Sequence, residues 1–122
     1  MSLLLALALQ AAAGTPVQMW QTLGTHEGIE VAIDPASVHA EGGRVRVKIR
    51  GVMQSPGPDG MRSVTGTSEI DCQAGTATAL DAKGYDAQGR LMFNGIVPRA
   101  ERRAEPIRPG SANAAVRTAV CR

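Results

Sequence analysis

Arg44-Val45-Arg46-Val47-Lys48-Ile49-Arg50 decides the fold. Cations alternate with β-branched aliphatics, so every second side chain falls on the same side of an extended chain. Val45, Val47 and Ile49 make one face; Arg44, Arg46, Lys48 and Arg50 make the other. A helix would scatter these residues around its circumference. A strand with one face buried and one in water accommodates them, and that arrangement belongs to antiparallel sheets. The strand can run on through Val52 and Met53.

The flanking sequence repeats this logic. Upstream, Glu41-Gly42-Gly43 reads as a turn, and Ile29, Val31 and Ile33 alternate with Glu30 and Ala32 as a second strand. Asp34-Pro35 is expected to stop that strand, because proline cannot donate to a ladder. His26-Glu27-Gly28 is a turn, and residues 17–23 read as a first strand carrying Trp20. Downstream, Ser55-Pro56-Gly57-Pro58-Asp59-Gly60 is a loop. Residues 62–72 form a fourth strand, with Val64, Gly66, Ser68, Ile70 and Cys72 on one face. Residues 76–85 and 90–97 follow as two more strands joined by Asp86-Ala87-Gln88-Gly89, and residues 98–109 are a polar, arginine-rich connection. Ser111 is a good N-cap for a helix over 112–120. Ala112, Ala115, Val116, Ala119 and Val120 form its apolar stripe.

The chain is one domain by length. It opens with the uncharged run Leu3-Leu4-Leu5-Ala6-Leu7-Ala8-Leu9, followed by Ala11-Ala12-Ala13, the small-residue type that signal peptidases cut after. Residues 1–13 are therefore expected to be a signal peptide and residues 14–122 the mature domain. Only Met1 and Ser2 precede the run, so either the terminal amine supplies the usual positive charge or the true start lies upstream. The run is far shorter than the ~20 residues that span a bilayer. No cysteine lies near the cleavage region for a lipid anchor. Export places Cys72 and Cys121, the two cysteines, in an oxidising compartment where pairing is expected. The alternative is two free buried thiols in a cytosolic protein. A bridge would staple the end of the helix to the end of a strand. It would remove roughly 4 kcal/mol of unfolded-chain entropy in the loop-closure model. The domain needs such help, because Trp20, Tyr85 and Phe93 are its only aromatics.

Thirteen basic and eleven acidic residues give a net charge of +2, which points to no class of partner. The cationic stripe is the one surface with a functional look. Its charges recur about every 6.8 Å along the strand. They can bind an anionic macromolecule, or they can be a solvated face paired with Glu30, Glu69 or Asp71 across the sheet. Arg99, Arg102, Arg103 and Arg108 can extend it. Export and the scarcity of aromatics for stacking argue against nucleic acid. His26-Glu27 and His39-x-Glu41 lack tight ligand spacing and read as solvated turns, so no metal or cofactor is expected. No G-x-S-x-G elbow or Gly-rich phosphate loop occurs, and Asp71 with Asp81 has no supporting context as a catalytic pair.

Several elements recur together in one family. They are Met19-Trp20, Ile33-Asp34-x-x-Ser37, Gly43 with the 44–49 strand, and Glu69-Ile70-Asp71-Cys72. Tyr85-Asp86-x-x-Gly89, Pro109-Gly110-Ser111 and a final Val120-Cys121 follow in the same order. In this ordered set the chain resembles the surface-adhesin protein E family of bacterial exported proteins. The resemblance implies a single antiparallel sheet with the helix on its concave face, the two cysteines bridged, and binding of extracellular proteins without enzymatic activity. The chain departs from the family in lacking a lipid-attachment cysteine. It also carries Ala104-Glu105-Pro106-Ile107 where an aromatic would precede Pro109.

The expected fold is thus α+β: a single antiparallel β-sheet of five or six strands with a C-terminal α-helix packed on one face, stapled by one disulfide. The expected function is an exported, periplasmic or secreted, non-enzymatic binding domain. Arg44, Arg46, Lys48 and Arg50 are its candidate anion-binding residues. A soluble periplasmic accessory protein of the envelope without a host ligand is the alternative. A small hydrolase is the third reading.

Overall fold

A computed structural model describes residues 19–122. The expected signal peptide and the residues around Gly14 lie outside the described residues. Six strands run in chain order and pair with their sequence neighbours, all antiparallel. They are β1 (Gln21–His26), β2 (Ile29–Glu41), β3 (Arg44–Met53), β4 (Met61–Asp71), β5 (Thr76–Asp86) and β6 (Leu91–Ile96). A two-residue β7 (Glu105–Pro106) joins the β5 edge beyond the end of β6. The single α-helix among the described residues, α1 (Ala112–Val120), follows the last strand. This is the sheet-plus-helix architecture expected from the β3 alternation together with Ser111 and the apolar stripe behind it.

The helix sits against β1 and β2. Val31, Ile33, Val47, Ile70, Ala77 and Val116 make the buried core, with Leu23, Ile49, Ile107 and Val120 packed on it. Val31, Val47, Ile70 and Val116 are the largest fully buried side chains. Each removes enough apolar surface from water to stabilise the fold by about 1.5–3 kcal/mol. Ser111 caps the helix: its Oγ accepts from the Ala114 N–H at 3.2 Å and donates to the Arg108 carbonyl at 2.6 Å. At the other end Cys121 is bonded to Cys72, with 5.6 Å between Cα atoms. Arg117 adds a third fastening, donating to the Cys72 carbonyl at 2.7 Å.

Four sequence expectations need correction. Trp20 precedes β1, which begins at Gln21. β2 does not stop at Pro35; it bulges there, its pairing with β3 shifting between Asp34 and His39, and continues to Glu41. Side chains bridge the gap that proline leaves. The Ala36 N–H donates to Asp34 Oδ1 at 3.0 Å, the Ser37 hydroxyl donates to the Asp34 carbonyl at 2.6 Å, and the Lys48 N–H donates to Ser37 Oγ at 2.8 Å. A side-chain oxygen thus stands in for a ladder carbonyl. Within α1, Ala119 is exposed although helical spacing puts it on the stripe. The buried line follows Ala112, Val116 and Val120 at intervals of four, because nine residues give only one row that meets the sheet. The 98–109 connection contains a short 3₁₀ turn (Arg99–Glu101) and the β7 strand, so it is partly ordered by the sheet.

The edge strand β6 is exposed at all six positions. Leu91, Met92, Phe93 and Ile96 are among the exposed large apolar side chains. Phe93 lies across Gly84, where a Cβ would collide with its ring.

Candidate functional site

The face of the sheet away from the helix carries the cationic stripe. Its fate is decided by what β4 places opposite each cation. Arg44 pairs with Asp71 and Arg46 with Glu69, whereas Lys48 pairs with Thr67 and Arg50 with Thr65. At the first end the charges meet. Arg44 approaches Glu69 at 3.6 Å and Asp71 at 3.8 Å, and Arg46 reaches Glu69 at 3.2 Å. Two arginines share two carboxylates, and exposed pairs of this kind contribute about 0.2–1 kcal/mol each. Asp71 has a further task, accepting from the Gln73 and Ala74 N–H groups in the β4–β5 turn. Glu30, the third expected partner, pairs with Thr25 and Val52 instead.

The other end opens into a cleft of about 510 Å³. Two cross-strand rows form its floor. One runs Arg50, Thr65, Lys83, Asn94; the other runs Lys48, Thr67, Asp81, Ile96. Ser63 and Tyr85 flank the first row, and Trp20 completes the wall. Three cations thus line the cleft against one carboxylate. On the β2 side Asp34 stands across the ladder from Lys48, while among the described residues Lys48, Arg50 and Lys83 make no ion pair within 4 Å. The Arg50 guanidinium lies over the Trp20 ring, 5.0 Å from its centroid, a cation–π contact of about 0.5–2 kcal/mol. Ala32, across the ladder from Arg50, is fully buried on this side of the sheet. Arg50 Nε is buried and has no hydrogen-bond partner among the described residues.

Asp81 is fixed by a sheet irregularity. The β4–β5 register shifts between Thr67 and Ser68, leaving Leu80 unmatched. Asp81 Oδ1 accepts the Thr67 N–H at 2.9 Å, so this carboxylate serves the backbone at the bulge. Gly66 is required there, since a Cβ would run into the Asp81 carbonyl oxygen.

The structure therefore splits the four sequence-predicted residues. Lys48 and Arg50 reach the cleft; Arg44 and Arg46 are neutralised away from it. Two of the outlying arginines are engaged elsewhere: Arg108 bonds Glu27 with both terminal nitrogens at 3.3 Å, and Arg102 donates to the Val97 carbonyl at 3.0 Å; Arg99 and Arg103 are exposed and lie outside the cleft lining. Asp71 and Asp81 occupy separate structural roles. His26 contacts its own Leu23 carbonyl at 3.2 Å, and His39 lies 3.6 Å from Glu41. Among the described residues no group of three His, Cys, Asp or Glu is placed to hold a metal ion. Lys83, Trp20 and Tyr85 are the site residues that sequence reasoning missed. Lys83 had a signal, since period two within β5 puts it on the face of Asp81 and Tyr85.

The surface-adhesin protein E family model matches residues 20–122. No curated protein matches the sequence. Solved structures of Haemophilus influenzae protein E share the fold. One crystal form is 13% identical, with 87% of this chain and 96% of that chain covered at a TM-score of 0.54. The protein from non-typeable Haemophilus influenzae is 15% identical, with 88% and 78% covered at a TM-score of 0.53.

Proposed function

The chain belongs to the surface-adhesin protein E family, and on that premise we propose that it binds an anionic extracellular macromolecule through Lys48, Arg50 and Lys83, without catalysis. As a family member it is a surface-adhesin-like binding domain. One observation carries the assignment of the surface: β4 supplies acids opposite Arg44 and Arg46 and only hydroxyls opposite Lys48 and Arg50. β2 sets Asp34 across from Lys48, but Arg50 and Lys83 meet no carboxylate on either neighbouring strand, and such charge is available to a ligand. A cleft lined by three cations against one carboxylate also raises the local concentration of anions.

The protein acts outside the cytoplasm in this reading, in the periplasm or beyond it. The Cys72–Cys121 bridge supports export, because disulfides persist in oxidising compartments. Removal of residues 1–13 is part of the same proposal. Mass spectrometry of exported material should find a mature chain that begins near Gly14 and is two hydrogens lighter than its reduced form.

The binding test is a pair of variants titrated with heparin as a model polyanion. Each cation lining the cleft is worth about 1 kcal/mol at low salt. Lys48→Gln/Arg50→Gln/Lys83→Gln should therefore weaken binding on the order of 100-fold. Arg44→Gln/Arg46→Gln should change it by less than about threefold. Binding that responds equally to both variants would show the whole face to be a diffuse cationic surface and defeat the assignment.

A further inference from the structure

The cleft holds more than charge. Ser63, Thr65 and Thr67 are alternate residues of β4 on the cleft face. None of their hydroxyls has a protein partner among the described residues. Arg50 and Lys83 stand on either side of Thr65, two strand spacings apart, which is about 9.6 Å. That span admits one six-membered sugar ring between the cations. Asn94, next in the row, adds an amide with both donor and acceptor capacity. Tyr85 borders the row with a half-buried ring. Trp20 has one ring face occupied by Arg50. It therefore orients the guanidinium, and Tyr85 is the other aromatic ring in the cleft lining.

We propose that this cleft binds an acidic sugar unit of a polysaccharide. Its anionic substituent, carboxylate or sulfate, is held by Arg50 and Lys83 with Lys48 beside them. Its ring hydroxyls meet Ser63, Thr65 and Asn94, and its apolar ring face stacks on Tyr85. An acidic peptide fits less well. Its backbone amides need partners, and a sheet face presents side chains while its own backbone groups are spent on neighbouring strands. Nucleic acid fits less well too, because successive bases need several free aromatic faces. The inference rests on the anion-binding reading above and narrows it to one ligand chemistry.

Trp20 is the only tryptophan in the chain, so its fluorescence reports on the cleft directly. The exported protein would be titrated with heparin hexasaccharide, hyaluronan hexasaccharide, polyglutamate and polyphosphate at low salt. Saturable binding of at least one saccharide, tighter than polyglutamate and polyphosphate by about tenfold or more, is expected. The two saccharides separate sulfate from carboxylate recognition. Thr65→Val and Tyr85→Leu keep strand-compatible bulk and all charges. Each should weaken saccharide binding about tenfold without changing polyglutamate binding or the thermal midpoint. Polyglutamate or polyphosphate binding as tightly as the saccharides, with both variants silent, would overturn the sugar assignment and leave anion binding standing. No response to any of the four would overturn both.

Discussion

The two ends of β3 carry the same alternation of cation and aliphatic residue and come to opposite chemical ends. At Arg44 and Arg46 the stripe is closed by Glu69 and Asp71. At Lys48 and Arg50 it faces Thr67 and Thr65 and stays open beside Lys83. The aliphatic side is indifferent to this contrast, since Val45 and Val47 are both buried. A strand's own pattern therefore fixes which face is wet, while the register of its neighbour fixes whether that face is charged toward solvent.

The largest effects come from breaking the frame that both ends share. Val116 is fully buried among Val47, Ile70 and Ala77. Val116→Asp leaves an uncompensated charge there and should cost about 3–5 kcal/mol, seen as loss of cooperative unfolding or a collapsed thermal midpoint. Cys72→Ala releases the helix end and should cost about 2–5 kcal/mol. In contrast, Asn113→Asp in the exposed first turn should be neutral or stabilising by about 0.3–1 kcal/mol through the helix dipole. Equal outcomes for Val116→Asp and Asn113→Asp would mean the helix does not pack by the Ala112–Val116–Val120 row.

Next in size is an exchange of the two ends. Thr65→Glu/Thr67→Glu gives Arg50 and Lys48 the partners that Arg46 and Arg44 already have. Heparin affinity should fall on the order of 100-fold, as in the triple glutamine variant. The reverse change, Glu69→Gln/Asp71→Asn, keeps the acceptor that the β4–β5 turn needs and frees two arginines. It should raise heparin affinity about tenfold and steepen its salt dependence. An unchanged affinity in both variants would dissolve the contrast between the ends.

The smallest effect lies off the stripe, at the β5–β6 turn. The Asp86 carboxyl is held below its ordinary range first by the Arg90 N–H, and then by the Arg90 side chain and the Gln88 N–H, against some desolvation. A carboxyl whose folded pKa is depressed stabilises the fold fully above its unfolded value. It loses that contribution as pH falls through the folded one. Asp86→Asn should therefore flatten the acid-side decline in thermal midpoint below about pH 4, with little change in heparin binding. A steeper decline would reverse the sign of this account.

Much of the fold was legible in the residues. The β3 alternation gave the sheet and its buried face. The expectation of export pointed to the disulfide, and Ser111 marked the start of the helix. The stop at Pro35 failed because Asp34 and Ser37 supply side-chain bonds that carry the strand past it. Ala119 failed because helical spacing names an angular sector, and the core takes only the side of it that carries Ala112, Val116 and Val120. β7 escaped because two residues hold no periodicity. Half of the site was legible for a related reason. Period two assigns a residue to a face, and it says nothing of register across the β3–β4 loop, whose residues 54–60 permit several pairings. That register decides that Thr65 lines up with Arg50, and the β4–β5 register then brings Lys83 into the row.

The central claim is that ligand contacts one end of the stripe and not the other. Backbone amide shifts followed by NMR during a heparin hexasaccharide titration test it directly. The account predicts saturable changes at Lys48, Arg50, Thr65, Thr67 and Lys83, with Arg44, Arg46, Glu69 and Asp71 nearly still. Changes spread evenly along β3, or concentrated at Arg44 and Arg46, would contradict it.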